Sequence, residues 1–182
     1  MRWTKLKSLV ESRMSPALKK RVAIHSAAYG NCSCGHAWLA VDGEAIANFC
    51  TRAFWNRANG NFENKNGRWI TDSPVPSYVR HSQQKKYGEM EYGEMSRQDV
   101  FKSCWEFIHD LGIDAALNSE DPLIQSLAVL DERAGKARLK KLNKSGLHPL
   151  ASRLLNIRLD AESKESSHNK ALRSQASPVG ML

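Results

Sequence analysis

The sequence has few of the features that mark exported, membrane-spanning or disordered chains. It contains 4 cysteines, 6 prolines and 11 glycines among 182 residues, and its aromatic fraction is only 8%. No segment approaches the roughly 18 apolar residues that a transmembrane helix requires. Residues 1–7 (MRWTKLK) include no apolar run typical of a secretion signal. We therefore expect a cytoplasmic protein that does not contact membranes and keeps its cysteines as reduced thiols.

The composition is that of a globular domain. Apolar residues make up 41% of the chain, which is enough to build a hydrophobic core. The length is close to that of one domain. We predict a single domain over residues 1–160, followed by a disordered polar tail over residues 161–182, where serine and charged residues replace the apolar pattern.

The clearest local pattern is a β-hairpin. Two strand-like runs, residues 36–41 and 44–50, flank the dipeptide Asp42-Gly43. This dipeptide favours a type I′ turn because both central residues of that turn need a positive φ. A further strand-like run before the hairpin completes a predicted three-stranded antiparallel meander near residues 20–50.

Apolar residues at three- and four-residue spacing predict helices elsewhere. The pattern predicts one helix near the N-terminus and a short one after the meander. Further helices are predicted after signals typical of helix starts, which are Ser96-Arg97-Gln98-Asp99, Asp121-Pro122 and His148-Pro149. The predicted fold class is α+β: a small antiparallel sheet packed with an N-terminal helix and about three C-terminal helices.

Basic residues are in excess and cluster in one segment. The chain has 27 Lys and Arg against 19 Asp and Glu, a formal net charge of +8, and no acidic residue occurs from Arg133 to Arg158. The densest run consists of Arg133, Lys136, Arg138, Lys140, Lys141 and Lys144. Such a run forms either a solvated helix face or a binding surface for an anionic partner, chiefly nucleic acid or an acidic protein.

Cys32, Cys34 and His36 form the one cluster with the donor types of a zinc site. Structural zinc sites usually have two or more residues between paired cysteines, whereas one residue separates these two. In the predicted hairpin Cys50 lies opposite Gly35, so its side chain is expected on the sheet face away from His36. We therefore predict no metal and no cofactor, and interpret the segment as a loop of small residues.

Signs of catalysis are sparse. The sequence has no nucleophile elbow and no Gly-rich phosphate loop. Cys34 beside His36 could form a nucleophile–base pair, and Glu89, Glu91 and Glu94 could gather a magnesium ion. A solvated acidic face is the commoner role for such glutamates. A small hydrolase or nuclease is therefore a third hypothesis, and no residue is assigned as catalytic.

The tryptophans divide into two groups. Trp3, Trp38 and Trp105 fit core positions in their predicted elements. Trp55 lies between Arg52 and Arg57, and Trp69 lies beside Arg68; interleaved aromatic and basic residues suit single-stranded nucleic acid. We therefore expect Trp3, Trp38 and Trp105 to be buried, and Trp55 and Trp69 to be available for stacking on bases or on a peptide.

Three segments resemble a known family. They are W-T-K-L-K (residues 3–7), W-L-A-V-D-G (residues 38–43) and L-D-x-R-x-G-K-x-R-L (residues 130–139), and they are similar to segments in a family of small, functionally uncharacterised bacterial proteins. The resemblance covers most of residues 1–160. It implies a bacterial, cytoplasmic, single-domain protein and brings no catalytic residues. Within the third segment, Asp131 and Arg133 could form a helix-surface ion pair, or Arg133 could belong to a working basic surface.

The leading hypothesis is a non-catalytic basic protein that contacts an anionic macromolecule, most simply nucleic acid, through the six clustered cations. The alternative is an immunity- or antitoxin-type protein that neutralises one acidic protein partner by complementary charge. The two hypotheses differ in their response to salt, because phosphate contacts weaken steeply as salt rises whereas an apolar protein interface does not.

Overall fold

The elements follow the predicted order. The computed structural model describes residues 1–28, 34–58 and 93–175, with the backbone of residues 64–65 and 68–69. The strands are β1 (Val22–Ala28), β2 (Gly35–Val41), β3 (Glu44–Cys50), β4 (Asn64–Lys65) and β5 (Arg68–Trp69). The α-helices are α1 (Trp3–Ser12), α2 (Thr51–Ala58), α3 (Arg97–His109), α4 (Ile113–Leu117), α5 (Pro122–Leu130), α6 (Lys136–Lys140) and α7 (Pro149–Gln175). Single turns of 3₁₀-helix cover Pro16–Leu18 and Lys144–Gly146.

Strands β1, β2 and β3 form an antiparallel meander in that order. The turn between β2 and β3 has φ of 51° at Asp42 and 84° at Gly43, as a type I′ turn requires. The Arg21 guanidinium donates to both carboxylate oxygens of Asp42, at 2.9 and 2.7 Å. Together with the helices around it, the meander confirms the predicted α+β fold class.

A β-bulge in the hairpin changes the expected pairing. The register between β2 and β3 shifts at Leu39/Ala40, where Ile46 is the extra residue of the bulged strand. Beyond the bulge, His36 pairs directly with Cys50, so the two side chains lie on the same face of the sheet. The prediction that Cys50 faces away from His36 is therefore wrong, because counting back from the turn does not include a bulge.

Helix α5 is at the centre of the helical layer. Every residue from Leu123 to Leu130 is buried, and the helix packs against α3, α4 and α7. Its first turn is capped by Asp121, whose carboxylate accepts hydrogen bonds from the backbone N–H groups of Leu123 and Ile124 at 2.8 and 2.9 Å. The inner face of the sheet, with Ile24 and Leu39 fully buried, completes the core.

Helix α7 continues past residue 160, where the sequence predicted the end of the domain. Its buried side chains include Leu150, Leu154 and Ala161. The side chains from Ser163 to Ser167 are exposed, although the helix continues to Gln175. Among the side chains of α7 that the structure describes, which extend to Ser167, the last buried one is therefore that of Ala161.

A buried polar cluster fixes the end of α5 against α7. Arg158, which is 2% exposed, donates from Nη1 to the carbonyl oxygens of Val129 and Asp131, at 2.8 and 2.7 Å. Its Nε donates to Glu162 at 2.7 Å. The last carbonyls of a helix have no partner within the helix, so Arg158 supplies the donors that the C-terminus of α5 lacks. We call these interactions the Arg158 cluster.

The turn after α5 extends this cluster. The Asp131 side chain is completely buried and accepts two hydrogen bonds from Arg133 Nε, each of 3.0 Å, and one from Arg133 Nη2 at 2.7 Å. The Arg133 guanidinium also lies 5.9 Å from the centre of the Phe107 ring, a cation–π distance. The backbone of Asp131 forms an antiparallel bridge with Met14. The turn thus connects α5 with α3 and with the segment after α1.

Replacing Arg158 with Met is expected to lower the free energy of unfolding by about 3 kcal/mol, because it leaves two buried carbonyls without their donor and removes the guanidinium that pairs with Glu162. Urea denaturation followed by circular dichroism measures the change. Lys141→Met is the matched control, since it removes the same charge at an exposed position and should change stability by less than about 0.5 kcal/mol. Equal losses in the two variants would contradict the role of the cluster.

Candidate nucleic-acid interface

Arg133 differs from the other predicted cations because its guanidinium is engaged in contacts within the protein. The side-chain hydrogen bonds to Asp131 raise the pKa of Arg133, and the buried carboxylate neutralises its charge locally. The ion pair anticipated between these two residues is present, but it lies in a turn and not along a helix surface. Arg133 is therefore a structural residue of the Arg158 cluster, and the remaining cations form what we call the basic segment, residues 136–144.

The basic segment is a short helix followed by a 3₁₀ turn. Helix α6 is anchored by Leu139, which is 1% exposed. The neighbouring Lys140 and Lys141 are exposed, and their side chains make no hydrogen bond or ion pair with any residue in the described part of the chain. Their ammonium groups are accordingly available to a ligand.

The other cations of the segment make weak contacts. Arg138 Nε lies 3.5 Å from Asp114 Oδ1, and both side chains are largely exposed, at 43% and 76%. An exposed pair of this kind contributes little to stability and exchanges readily for another anion. Lys144 Nζ donates to Asn156 Oδ1 at 3.1 Å. Lys136, which is half-buried, helps to lower the pKa of Glu162.

A cavity of about 430 Å³ adjoins the basic segment. One wall is formed by the end of α4 and the start of α5, and the other by the turn between α6 and α7. The lining residues are Leu117, Asn118, Ser119, Glu120, Gln125, Leu142, Asn143, Gly146, Leu147 and His148. The sequence analysis did not identify this site, because its two walls are distant in the chain and neither contains a recognisable motif.

Gln125 joins the two walls of the cavity. It is 6% exposed. Its Nε2 donates to the carbonyl oxygens of Leu117 and Ser119, at 3.5 and 3.3 Å, and its Oε1 accepts from the His148 backbone N–H at 2.6 Å. Because Gln125 forms hydrogen bonds with both walls, it fixes the distance between them. Its amide donors are used in these bonds, so we expect other residues to contact a ligand.

His148 has a structural role at the start of α7. Its Nδ1 accepts from the Leu150 backbone N–H at 3.2 Å, so in the neutral ring the proton is assigned to Nε2. Nε2, which carries the proton in this tautomer, lies 3.3 Å from Glu94 Oε1. Both ring nitrogens are therefore engaged, which leaves His148 without a lone pair for general-base catalysis.

The face of the sheet opposite Ile24 and Leu39 carries a second group of polar and aromatic residues, of which His36 and Asn48 are buried. The His25 ring stacks on Trp38 with 4.8 Å between ring centres, and the His36 ring lies 5.7 Å from Trp38. His36 Nε2 is 2.9 Å from Asn48 Oδ1, and its buried Nδ1 has no hydrogen-bond partner among the residues that the structure describes. Burial lowers the pKa of His36 to about 4, so the ring is neutral at physiological pH.

The cysteines differ from the expectation of four reduced thiols. Cys34 is disulfide-bonded, so that expectation is wrong at this position and Cys34 presents no thiolate to a base at His36. Cys50 and Cys104 carry thiols, and burial raises the pKa of Cys104 to about 12. Cys32, Glu89 and Glu91 lie outside the described residues. Within the described residues, no group of three or more His, Cys, Asp or Glu side chains is placed to hold a metal ion.

The tryptophans follow the prediction only in part. Trp55 is 46% exposed, as expected, but Trp105 is 38% exposed, so the prediction that Trp105 is buried is wrong. The buried face of α3 passes through Cys104 and Ile108, and Trp105 is one position, or about 100°, farther round the helix. Its ring instead packs on His109, with 4.2 Å between ring centres.

A family model matches residues 2–159, which include the meander, Arg158 with both of its carbonyl partners, the basic segment and both walls of the cavity. The chain belongs to the SF0329 protein family. No curated protein and no solved structure matches the chain. For this family member, none of the helices in the described ranges is long and apolar enough to cross a membrane.

The stability of this SF0329 family member is expected to fall between pH 6.5 and pH 4. In that range His36 binds a proton in the unfolded chain, with its ordinary pKa of 6.5, while the folded chain resists protonation until about pH 4. The difference corresponds to about 3 kcal/mol. Urea denaturation at a series of pH values should show a shallower loss for His36→Gln than for the wild type. The exposed His109 provides the control, and His109→Gln should leave the pH dependence as in the wild type.

Proposed function

We propose that the protein binds nucleic acid through the basic segment and does not itself catalyse a reaction on it. The observation that carries the proposal is the exposure of Lys140 and Lys141 without any described partner, in a stretch of chain that has no acidic residue from Arg133 to Arg158. Two exposed ammonium groups on adjacent residues can each contact a different phosphate of the same strand.

The flanking residues extend this surface. Arg138 and Lys144 lie in the same segment, and their exposed partners, Asp114 and Asn156, compete only weakly with phosphate. If four cations each contact one phosphate, the logarithm of the affinity for duplex DNA falls against the logarithm of the salt concentration with a slope of about −4. The proposal therefore includes a strong dependence on salt.

An acidic protein partner is the second candidate, and one observation favours it. Trp105 and His109 form an exposed aromatic pair on α3, with their ring planes tilted by 42°, and aromatic residues are enriched at protein interfaces. A partner held by this surface would stay bound at high salt. The salt dependence of binding thus separates the two candidates.

The double variant Lys140→Gln/Lys141→Gln is expected to bind nucleic acid more weakly, because two phosphate contacts are lost. Its salt slope should be less steep than that of the wild type by about 1.4 for a single strand and about 1.8 for a duplex. Fluorescence anisotropy with a labelled single strand and the matching duplex, over a series of salt concentrations, measures both quantities.

The matched control is Lys5→Gln/Lys19→Gln, which makes the same change in net charge at two exposed positions outside the segment. This control should retain the wild-type slope. Equal changes in both double variants would mean that only net charge matters, which contradicts a specific basic surface. Arg133→Gln should differ from both, since it is expected to destabilise the fold and to leave the slope of the folded protein unchanged.

A further inference from the structure

The cavity beside the basic segment has opposite charges at its two walls. Glu120 lines the wall that belongs to the α4–α5 loop. Lys141 and Lys144 are the chain neighbours of Leu142 and Asn143 in the other wall. A free anion inside the cavity would be repelled by Glu120, whereas a ligand with donor groups at one end and a phosphate at the other would be attracted at both ends.

The remaining lining suits a flat, partly polar group. Leu117, Leu142 and Leu147 supply apolar surface. The amide of Asn143 uses its Oδ1 to accept from Ser145, and that of Asn118 uses its Nδ2 to donate to the Asp114 carbonyl. Neither amide makes another hydrogen bond with the described residues, so the NH2 group of Asn143 and the Oδ1 of Asn118 are left for a ligand.

The volume and the construction of the cavity also point to a small organic ligand. A cavity of 430 Å³ falls within the range of about 300–1,000 Å³ that is typical of ligand pockets. The hydrogen bonds of Gln125 to both walls hold the cavity open without a ligand. A pre-formed pocket reduces the ordering cost of binding.

We propose that this cavity holds one unstacked nucleotide of a bound single strand. The base lies between the leucine side chains and hydrogen-bonds to Asn118, Glu120 and Asn143, while its phosphate remains outside at the basic segment. A carboxylate accepts from an exocyclic amino group, so cytosine is preferred to uracil. This inference rests on the proposed function. It also makes that function specific for single-stranded nucleic acid, because a base in a duplex would have to be unpaired before it could enter the cavity.

Gly146 offers a way to fill the cavity. It lines the cavity, and a Cβ added there meets no atom within 4 Å. Gly146→Phe is therefore expected to fold normally and to block entry of a base. Gly112→Phe is the matched control, because Gly112 has the same open surroundings but lies outside the cavity. Circular dichroism and urea denaturation verify that both variants are folded.

The test uses isothermal titration calorimetry with cytidine monophosphate, uridine monophosphate, cytidine and inorganic phosphate as probes. Cytidine monophosphate should bind the wild type most tightly. Gly146→Phe should reduce its affinity and that of a cytosine-containing single strand by about ten-fold, with no change for the duplex or in Gly112→Phe. Glu120→Gln should reduce the preference for cytidine over uridine monophosphate.

Three results would overturn the inference. If inorganic phosphate binds as tightly as cytidine monophosphate, the protein has only a phosphate site. If no mononucleotide binds, the cavity does not hold a nucleotide. Wild-type affinity of Gly146→Phe for the single strand would show that no base enters the cavity. In this last case the proposed function still stands if Lys140→Gln/Lys141→Gln binds weakly, so the two failures are distinguishable.

Discussion

The hydrogen bonds of Arg158 at the C-terminus of α5 are the interaction on which the helical layer depends. Helix α5 is buried along its whole length, so the carbonyls at its end cannot be satisfied by water, and an unsatisfied buried carbonyl costs about 1–3 kcal/mol. Arg158 reaches them from α7 while its own charge is balanced by Glu162. A buried arginine is stable here because its donors meet two carbonyls and a carboxylate in one place.

This constraint also explains the most recognisable motif of the chain. In L-D-x-R-x-G-K-x-R-L, Asp131 and Arg133 close the turn that follows α5. The turn redirects the chain into α6, which Leu139 anchors to the core. The first charged residues of the motif thus build the fold, and those after Gly135 remain at the surface. The run of basic residues in the sequence therefore contains one residue that stabilises the fold, Arg133, and others that form a charged surface.

The cavity depends on the same arrangement. Once α5 and α7 are fixed against each other, Gln125 on α5 lies within hydrogen-bond distance of His148 at the start of α7. The segment between α6 and α7 then forms one wall, and its lysines lie beside the cavity opening. Charge and shape at this site are consequences of how the helices are packed, and they lead to our proposals of nucleic-acid binding and of a nucleotide subsite.

The sequence by itself determined the features that rest on neighbouring residues. Asp42-Gly43 predicted the hairpin, and Ser96 and Asp121 predicted helix starts, because turns and caps are made by groups a few residues apart. The concentration of basic residues between Arg133 and Lys144 is likewise a property of the sequence alone. Only the tertiary structure decided that Arg133 is occupied by a buried carboxylate, that the bulge at Ile46 places Cys50 beside His36, and that Gln125 joins the walls of a cavity. Each of these depends on contacts or register between separate elements, which local sequence patterns do not encode.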